Sequence, residues 1–158
     1  MSMLIMDDRE NDLLIHKVIA KMGDADYDPR GIVKVKRLVS ADYIINEIGI
    51  EAKEINDLYG SILGRGRSRT IVAQLHDLQE NFERPMLVVY GTQIKVYQRP
   101  GTPRQNNRQV HARAHNVIKS FKQELYHRFP KIQFMQLNSM DEFVEYIAKV
   151  HHLQAMGQ

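Results

Sequence analysis

Asp42-Tyr43-Ile44-Ile45-Asn46-Glu47-Ile48-Gly49-Ile50-Glu51-Ala52-Lys53-Glu54-Ile55-Asn56-Asp57 decides how this chain is read. Two short runs rich in isoleucine, residues 43–45 and 48–52, predict a pair of strands, the second kinked at Gly49. An acid stands before the first run, and Glu51 and Lys53 close the second. Alternate residues of a strand point the same way, so Glu51 and Lys53 share a face. Two carboxylates and a lysine on one sheet edge suit a hard divalent cation and an attacking water, which is what phosphodiester hydrolysis needs.

On the N-terminal side, Met3-Leu4-Ile5-Met6 reads as a buried strand that delivers Asp7-Asp8-Arg9-Glu10 at its C-terminal end, where open α/β sheets keep their chemistry. From Asn11 or Asp12, both competent N-caps, Leu14, Ile15, Val18, Ile19 and Met22 recur at helical spacing until Gly23. Residues 24–31 are rich in Asp, Pro and Gly and read as a loop. Residues 32–39 alternate valine with lysine as a half-buried strand does.

On the C-terminal side, residues 54–63 predict a helix with Asp57 in its first turn, where its charge is favourable. Gly64-Arg65-Gly66-Arg67-Ser68-Arg69 is a basic link. Residues 70–82 form a second amphipathic helix through Ile71, Leu75, Leu78 and Phe82, ended by Arg84-Pro85. Residues 86–90 are a continuous apolar run suited to a covered central strand. Residues 94–97 add a short edge strand, and an exposed basic loop follows at about 98–109, irregular enough for disorder. A long helix at 110–129, a strand at 131–137 and a helix capped by Ser139 complete the chain. This order predicts an α/β fold with a central mixed sheet and helices on both faces, in a single domain spanning residues 1–158.

Composition narrows the function. The chain has 158 residues, 43% hydrophobic and 26% charged, and no apolar run approaches the length of a membrane span. With no cysteine there is no disulfide framework and no thiolate chemistry, which fits the reducing cytoplasm, nucleoid or nucleus. The net charge of +3 is unevenly spread: residues 92–131 hold nine Lys or Arg against Glu124 as their one acid. An acidic half beside a basic segment suits an enzyme acting on a polyanion. Arg65, Arg67, Arg69, Arg104, Arg108, Arg113 and Lys119 are therefore candidate DNA contacts. His111 and His115 lie four apart on the long helix but have no third ligand near them in the chain, so a surface role is expected.

Taken together, the motifs resemble the XPF-type nuclease domain, a branch of the restriction-endonuclease-like superfamily, along most of the chain. Asp7-Asp8-Arg9-Glu10 is similar to the family's Asp-x-Arg-Glu after the first strand, and Asp42-Tyr43 to its Gly-Asp-Tyr. Residues 51–57 resemble Glu-Arg-Lys-x-x-x-Asp, followed in step by Leu58 and Ser61-Ile62. Gly66-Arg67 looks like the family's Gly-Arg, and residues 84–91 like its Pro-apolar-Gly strand. Ala52 stands at the motif's arginine, Ala41 at the glycine before Asp42, and Tyr90 where the strand often carries glutamate.

The resemblance implies a restriction-endonuclease-like core that dimerises and cuts branched, flap or fork DNA with Mg²⁺ or Mn²⁺. It implies Asp7, Asp42 and Glu51 as metal ligands, Lys53 as the catalytic lysine, and Arg9, Glu10 and Asp57 in support. No room remains for the helix-hairpin-helix module that the family often attaches. Ala52 and Tyr90 raise the alternative of an inactive nuclease-like DNA-binding or scaffolding subunit. Phe143, Tyr146, Ile147 and Val150 offer an apolar stripe either for a dimer interface or for covering the chain's own sheet.

Overall fold

In the computed structural model, residues 3–23, 32–64, 70–95 and 107–157 are described. The elements are β1 (Met3–Asp7), α1 (Asp12–Met22), β2 (Ile32–Lys36), β3 (Tyr43–Ile45), β4 (Ile48–Glu54), α2 (Ile55–Ile62), α3 (Ile71–Asn81), β5 (Arg84–Tyr90), α4 (Asn107–Arg128), β6 (Gln133–Leu137) and α5 (Met140–Met156). The strands form one sheet in the order β2-β1-β3-β4-β5-β6. β3 runs antiparallel to both β1 and β4, whereas β1–β2, β4–β5 and β5–β6 are parallel. This is the mixed, doubly covered sheet that the sequence predicts.

Alternation along the strands sorts the core into two layers. Leu4, Met6, Tyr43, Ile45, Ile48, Ile50, Met86 and Val88 face α1 and α5, meeting Leu14, Val18, Phe143 and Ile147. Leu87 and Val89 face the other way, against Ile55 and Leu58 of α2, Leu75 and Leu78 of α3, and Ile118 and Phe121 of α4. In α5, the stripe of Phe143, Tyr146, Ile147 and Val150 covers the chain's own sheet. That resolves the choice between its two expected uses in favour of the core. The phenyl ring of Phe143 meets Tyr43 edge-on at 5.4 Å and Tyr90 at 5.2 Å, offset geometries that aromatic pairs favour.

Several expectations shift at their edges. Leu38 is buried while Val39 is 89% exposed, so the chain leaves β2 at Lys36 instead of continuing to residue 39. Arg84 and Pro85 open β5 instead of ending α3. The first β5–β6 pair is Met86 with Gln133, so the missing N–H of Pro85 interrupts no ladder on that side. Residues 94–95 form no strand, and 96–97 lie outside the described residues. Of the basic loop expected at about 98–109, residues 98–106 also lie outside them, and 107–109 are the first turn of α4. Ser139 caps α5 as expected, its Oγ accepting from the Glu142 N–H at 3.2 Å. No helix among the described residues is long and apolar enough to cross a membrane.

β4 is not interrupted at Gly49. A Cβ there would lie 2.3 Å from the Cγ of Phe82, so the bare backbone gives that ring its seat on the sheet just beyond α3. The proximal end of the ring cannot swing clear without moving the end of α3. Gly49→Ala is expected to destabilise the fold by about 2 kcal/mol and lower Tm by about 5 °C, read by thermal melting.

Candidate active site

The acids are gathered by register. At one end of the sheet, Asp7 ends β1, Asp42 precedes β3, and Glu51 and Lys53 lie in the C-terminal half of β4. The Asp7 N–H donates to the Asp42 carbonyl at 2.8 Å, and the Asp42 N–H donates to the Ile50 carbonyl at 2.9 Å. These bonds extend the β1–β3–β4 ladder across Asp42, so residues distant in the chain become neighbours across the sheet. Glu51 pairs with Leu87 and Lys53 with Val89, which places both side chains on the α2–α3–α4 face. Asp7, Arg9, Glu10, Asp42, Glu51, Lys53 and Asp57 all line one cleft of about 510 Å³.

Each acid sits in a different electrostatic setting. Burial alone would raise the Asp7 carboxyl, but the Arg9 guanidinium grips it at 3.0 and 3.3 Å and the backbone N–H groups of Arg9 and Leu38 assist. The net effect holds it below its ordinary value. Burial pushes Asp42 up, and the Ala52 N–H, donating to Oδ2 at 2.8 Å, and the charge of Lys53 oppose that rise. Glu51 is pushed up to about 8, first by burial and then by the charge of Asp42, although Lys53 Nζ lies 3.2 Å from its Oε1. Glu10 rises to about 7 through burial and the same Asp42 charge, and among the described residues its enclosed Oε2 has no partner within hydrogen-bond distance.

Asp42, Glu51 and Glu10 are thus carboxyls whose ionisation is disfavoured, the first opposed by the Ala52 N–H and Lys53 and the second by Lys53, and carboxylate oxygens are the donors that suit a hard divalent cation. Its two positive charges would offset the burial and the mutual repulsion that raise Asp42 and Glu51. Among the described residues no three acids or histidines stand in ready coordination geometry. Arg9 holds the Asp7 carboxylate in a pair of its own.

Ala52 has a different place from the one its position in the motif suggests. Its N–H fixes Asp42, and its methyl joins the α1–α5 core, on the face opposite Glu51 and Lys53. Tyr90 belongs to that same core. Ala52 and Tyr90 thus pack on the sheet face opposite Glu51 and Lys53, whereas Ala41, the third departure, is buried in the other layer and lines the cleft. Arg65, Arg67, Arg69 and Arg104 lie outside the described residues, whereas Arg108, Arg113 and Lys119 are exposed along α4. His111 and His115 are exposed on the same helix.

Two residues of the cleft carry no signal in the sequence: Gln74 and Asp77, one turn apart on α3. They flank the apolar stripe of that helix, and only its docking across β4 and β5 brings them to the acids.

The sequence pattern of the ERCC4 domain matches residues 7–150, a span that opens on Asp7 and contains the whole cleft. The chain belongs to the ERCC4 domain family. This bears out the resemblance to XPF-type nuclease domains. No curated protein matches the chain. Among solved structures, XPF from Aeropyrum pernix is similar with a TM-score of 0.67 at 18% identity, covering 97% of this chain and 65% of that one. XPF from Aeropyrum pernix in complex with DNA is similar with a TM-score of 0.66 at 19% identity, covering 100% of this chain and 67% of that one. The shared feature is the restriction-endonuclease-like fold, and the chain spans about two-thirds of the length of those structures.

Proposed function

We propose that this chain is a single nuclease-like domain acting as a metal-dependent DNA endonuclease, which hydrolyses phosphodiester bonds in branched, flap or fork DNA. The observation that carries the reading is the meeting of Asp7, Asp42, Glu51 and Lys53 in one cleft of an ERCC4 fold. Asp42 and Glu51, with Asp7 beside them, are the residues that would hold Mg²⁺ or Mn²⁺. When bound, such an ion polarises the phosphate and lowers the pKa of a water. Lys53 projects from the same face as Glu51, so its ammonium orients the attacking water and neutralises charge growing on the phosphate. Arg9 keeps Asp7 ionised, and Ala52 fixes Asp42 through the main chain. Glu10 and Asp57 line the cleft as supporting carboxylates. Hydrolysis forms one P–O bond to the water oxygen and breaks one to the leaving sugar oxygen; the proton that the water loses is matched by the one that the leaving oxygen gains.

Substrate would be gripped through its backbone. α4 covers the sheet face from which Glu51 and Lys53 project, and its exposed Arg108, Arg113 and Lys119 offer phosphate contacts that position DNA without reading sequence. Arg65, Arg67, Arg69 and Arg104 are proposed to join them. The working unit is a homodimer, supported by apolar residues left exposed on α1 and α5, among them Leu13, Ile19, Leu153 and Met156.

The test is cleavage of end-labelled fork, flap and plain duplex DNA of one sequence, with Mg²⁺ or Mn²⁺. Cuts near the branch are expected at about tenfold or more the duplex rate, and chelation of the metal should stop them. Salt-sensitive DNA binding without cutting of any substrate under either ion would instead identify a binding subunit and overturn the reading.

A further inference from the structure

The register that gathers the acids also sets positive charge beside them. β2 pairs parallel with β1, so Lys34 lies next to Ile5 and Lys36 next to Asp7. Register partners on neighbouring strands project from the same face of a sheet. Leu4, Met6 and Val33 pack in the α1–α5 layer, so Ile5, Asp7, Lys34 and Lys36 project from the other face, the one that carries Glu51 and Lys53. On that face α2 and α3 dock over β4 and β5, and Lys34 and Lys36, on the edge strand β2, are exposed.

The other cations of this flank are held by acids. Arg37 Nε is paired with Asp8 Oδ1 at 2.6 Å, Arg9 with Asp7, and Lys53 with Glu51, whereas neither Lys34 nor Lys36 has an ion-pair partner among the described residues. Lysines can guard an edge strand against pairing with another chain. That role does not account for these two, because β6, the opposite edge, reads Gln133-Phe134-Met135-Gln136-Leu137 and carries no charge. Two residues of a strand span about 7 Å, so the lysines form a short basic line that starts beside Asp7 and runs away from the cleft. Unpaired ammonium groups in a row fit the successive phosphates of one polynucleotide strand. The exposed cations of α4 stand on the far side of the acids, since α4 packs with Leu87 of β5 and Phe134 of β6.

We propose that Lys34 and Lys36 form a second DNA-binding surface, which holds backbone phosphates of one strand next to the scissile phosphate, on the flank of the cleft opposite α4. The proposal rests on the nuclease reading, which supplies the scissile phosphate. Each lysine acts as a point charge and reads no base. Anchored on both flanks, the strand crosses Asp42 and Glu51 with one linkage presented to Lys53.

The test compares wild type with the double variant Lys34→Gln, Lys36→Gln and with a control, Lys21→Gln with Lys149→Gln, which removes the same net charge from α1 and α5 on the opposite layer. Affinity for a labelled fork is titrated against salt with Ca²⁺ in place of Mg²⁺. Loss of Lys34 and Lys36 is expected to make the slope of log K against log salt shallower by about 1.4–1.8 and to weaken binding about tenfold at moderate salt, with the control within about twofold of wild type. A second arm replaces each linkage near the cut in turn by an uncharged methylphosphonate. At the linkages next to the cut on one side, neutralisation should weaken wild type and leave the Lys34, Lys36 variant unchanged, because the lysines that met those phosphates are already gone.

A salt slope equal to that of wild type overturns the proposal. So does an equal change in the control, which would show an effect of net charge alone, and so do neutral linkages that weaken wild type and the Lys34, Lys36 variant alike at every position. If wild type cuts and the slope is unchanged, this inference alone fails. If wild type binds DNA and cuts nothing, the nuclease reading fails, and the salt slope still decides whether Lys34 and Lys36 hold phosphates.

Discussion

Lys53→Ala is expected to lower the single-turnover cleavage rate about 10³-fold, equivalent to ~4 kcal/mol of transition-state stabilisation, while DNA affinity changes by less than about threefold. The size follows from the charge balance of the cleft. Its lining cations among the described residues are Lys53 and Arg9, and the Arg9 guanidinium is paired with Asp7 through two nitrogens. Lys53 alone is directed at the buried Glu51, 3.2 Å away, and it is one of the influences that lower both Asp42 and Glu51. Its loss therefore acts twice: the water loses a donor, and both carboxyls shift further toward their protonated forms, which bind a cation poorly. Lys53→Arg should not restore the rate, because a planar guanidinium cannot occupy the point position of an ammonium beside Glu51. Affinity is spared because α4 presents its arginines and lysine independently of the cleft. A Lys53→Ala rate within tenfold of wild type, measured on the same fork with Mg²⁺, would remove Lys53 from the chemistry.

The half of the site that lies on strands was legible in the sequence because a strand has a period of two. Once residues 48–54 are read as β, Glu51 and Lys53 must share a face, and the antiparallel return through Asn46 and Glu47 must bring Asp42 beside them. Asn46 shows how local that information is: it adopts the left-handed φ of 52° that the short turn requires, and its side chain accepts from the Met3 N–H. The half that lies on α3 was not legible. Gln74 and Asp77 reach the cleft only because Leu75 and Leu78 dock that helix across β4 and β5, and a docking angle leaves no mark on residue spacing. The same limit applied to Ala52. In the motif it stands between two catalytic residues and reads as a missing guanidinium, but strand alternation turns its side chain into the opposite core. The boundary of β2 was misjudged for a related reason. β2 is an edge strand on which Val35 is 44% exposed, and Val39, beyond its end, is 89% exposed, so hydrophobic alternation lost its usual meaning there.

Glu51→Gln should make the metal-free protein more stable, by about 1–3 kcal/mol at pH 8, or roughly 3–8 °C in Tm, with the gain shrinking as pH falls toward 4.5. The sign follows from proton binding. Folding raises the Glu51 carboxyl from 4.5 to about 8, so between those values the folded state holds a proton that the unfolded chain has released. Stability must then fall as pH rises through that window, and below it both states are protonated and the difference vanishes. Glu10, raised to about 7, contributes in the same direction over the lower part of the window in both proteins. Asp7 does not confuse the comparison, because its carboxyl is lowered from 3.8 and its stabilising pair with Arg9 is lost only at more acid pH. Removing Glu51 leaves Asp42 as a counter-charge for Lys53, so the substitution does not strand a buried ammonium. A divalent cation reverses the comparison. Mg²⁺ or Mn²⁺ held by the carboxylates favours their ionised forms, so it should raise the Tm of the wild type, steepen that gain with pH, and leave Glu51→Gln little changed. Equal melting of the two proteins from pH 5 to 8 without metal would show that the cleft carries no such strain. A metal-induced rise as large in the variant as in the wild type would place the cation elsewhere. The expected pattern would mean that the residues assigned to catalysis destabilise the empty fold, a cost that a binding cation relieves.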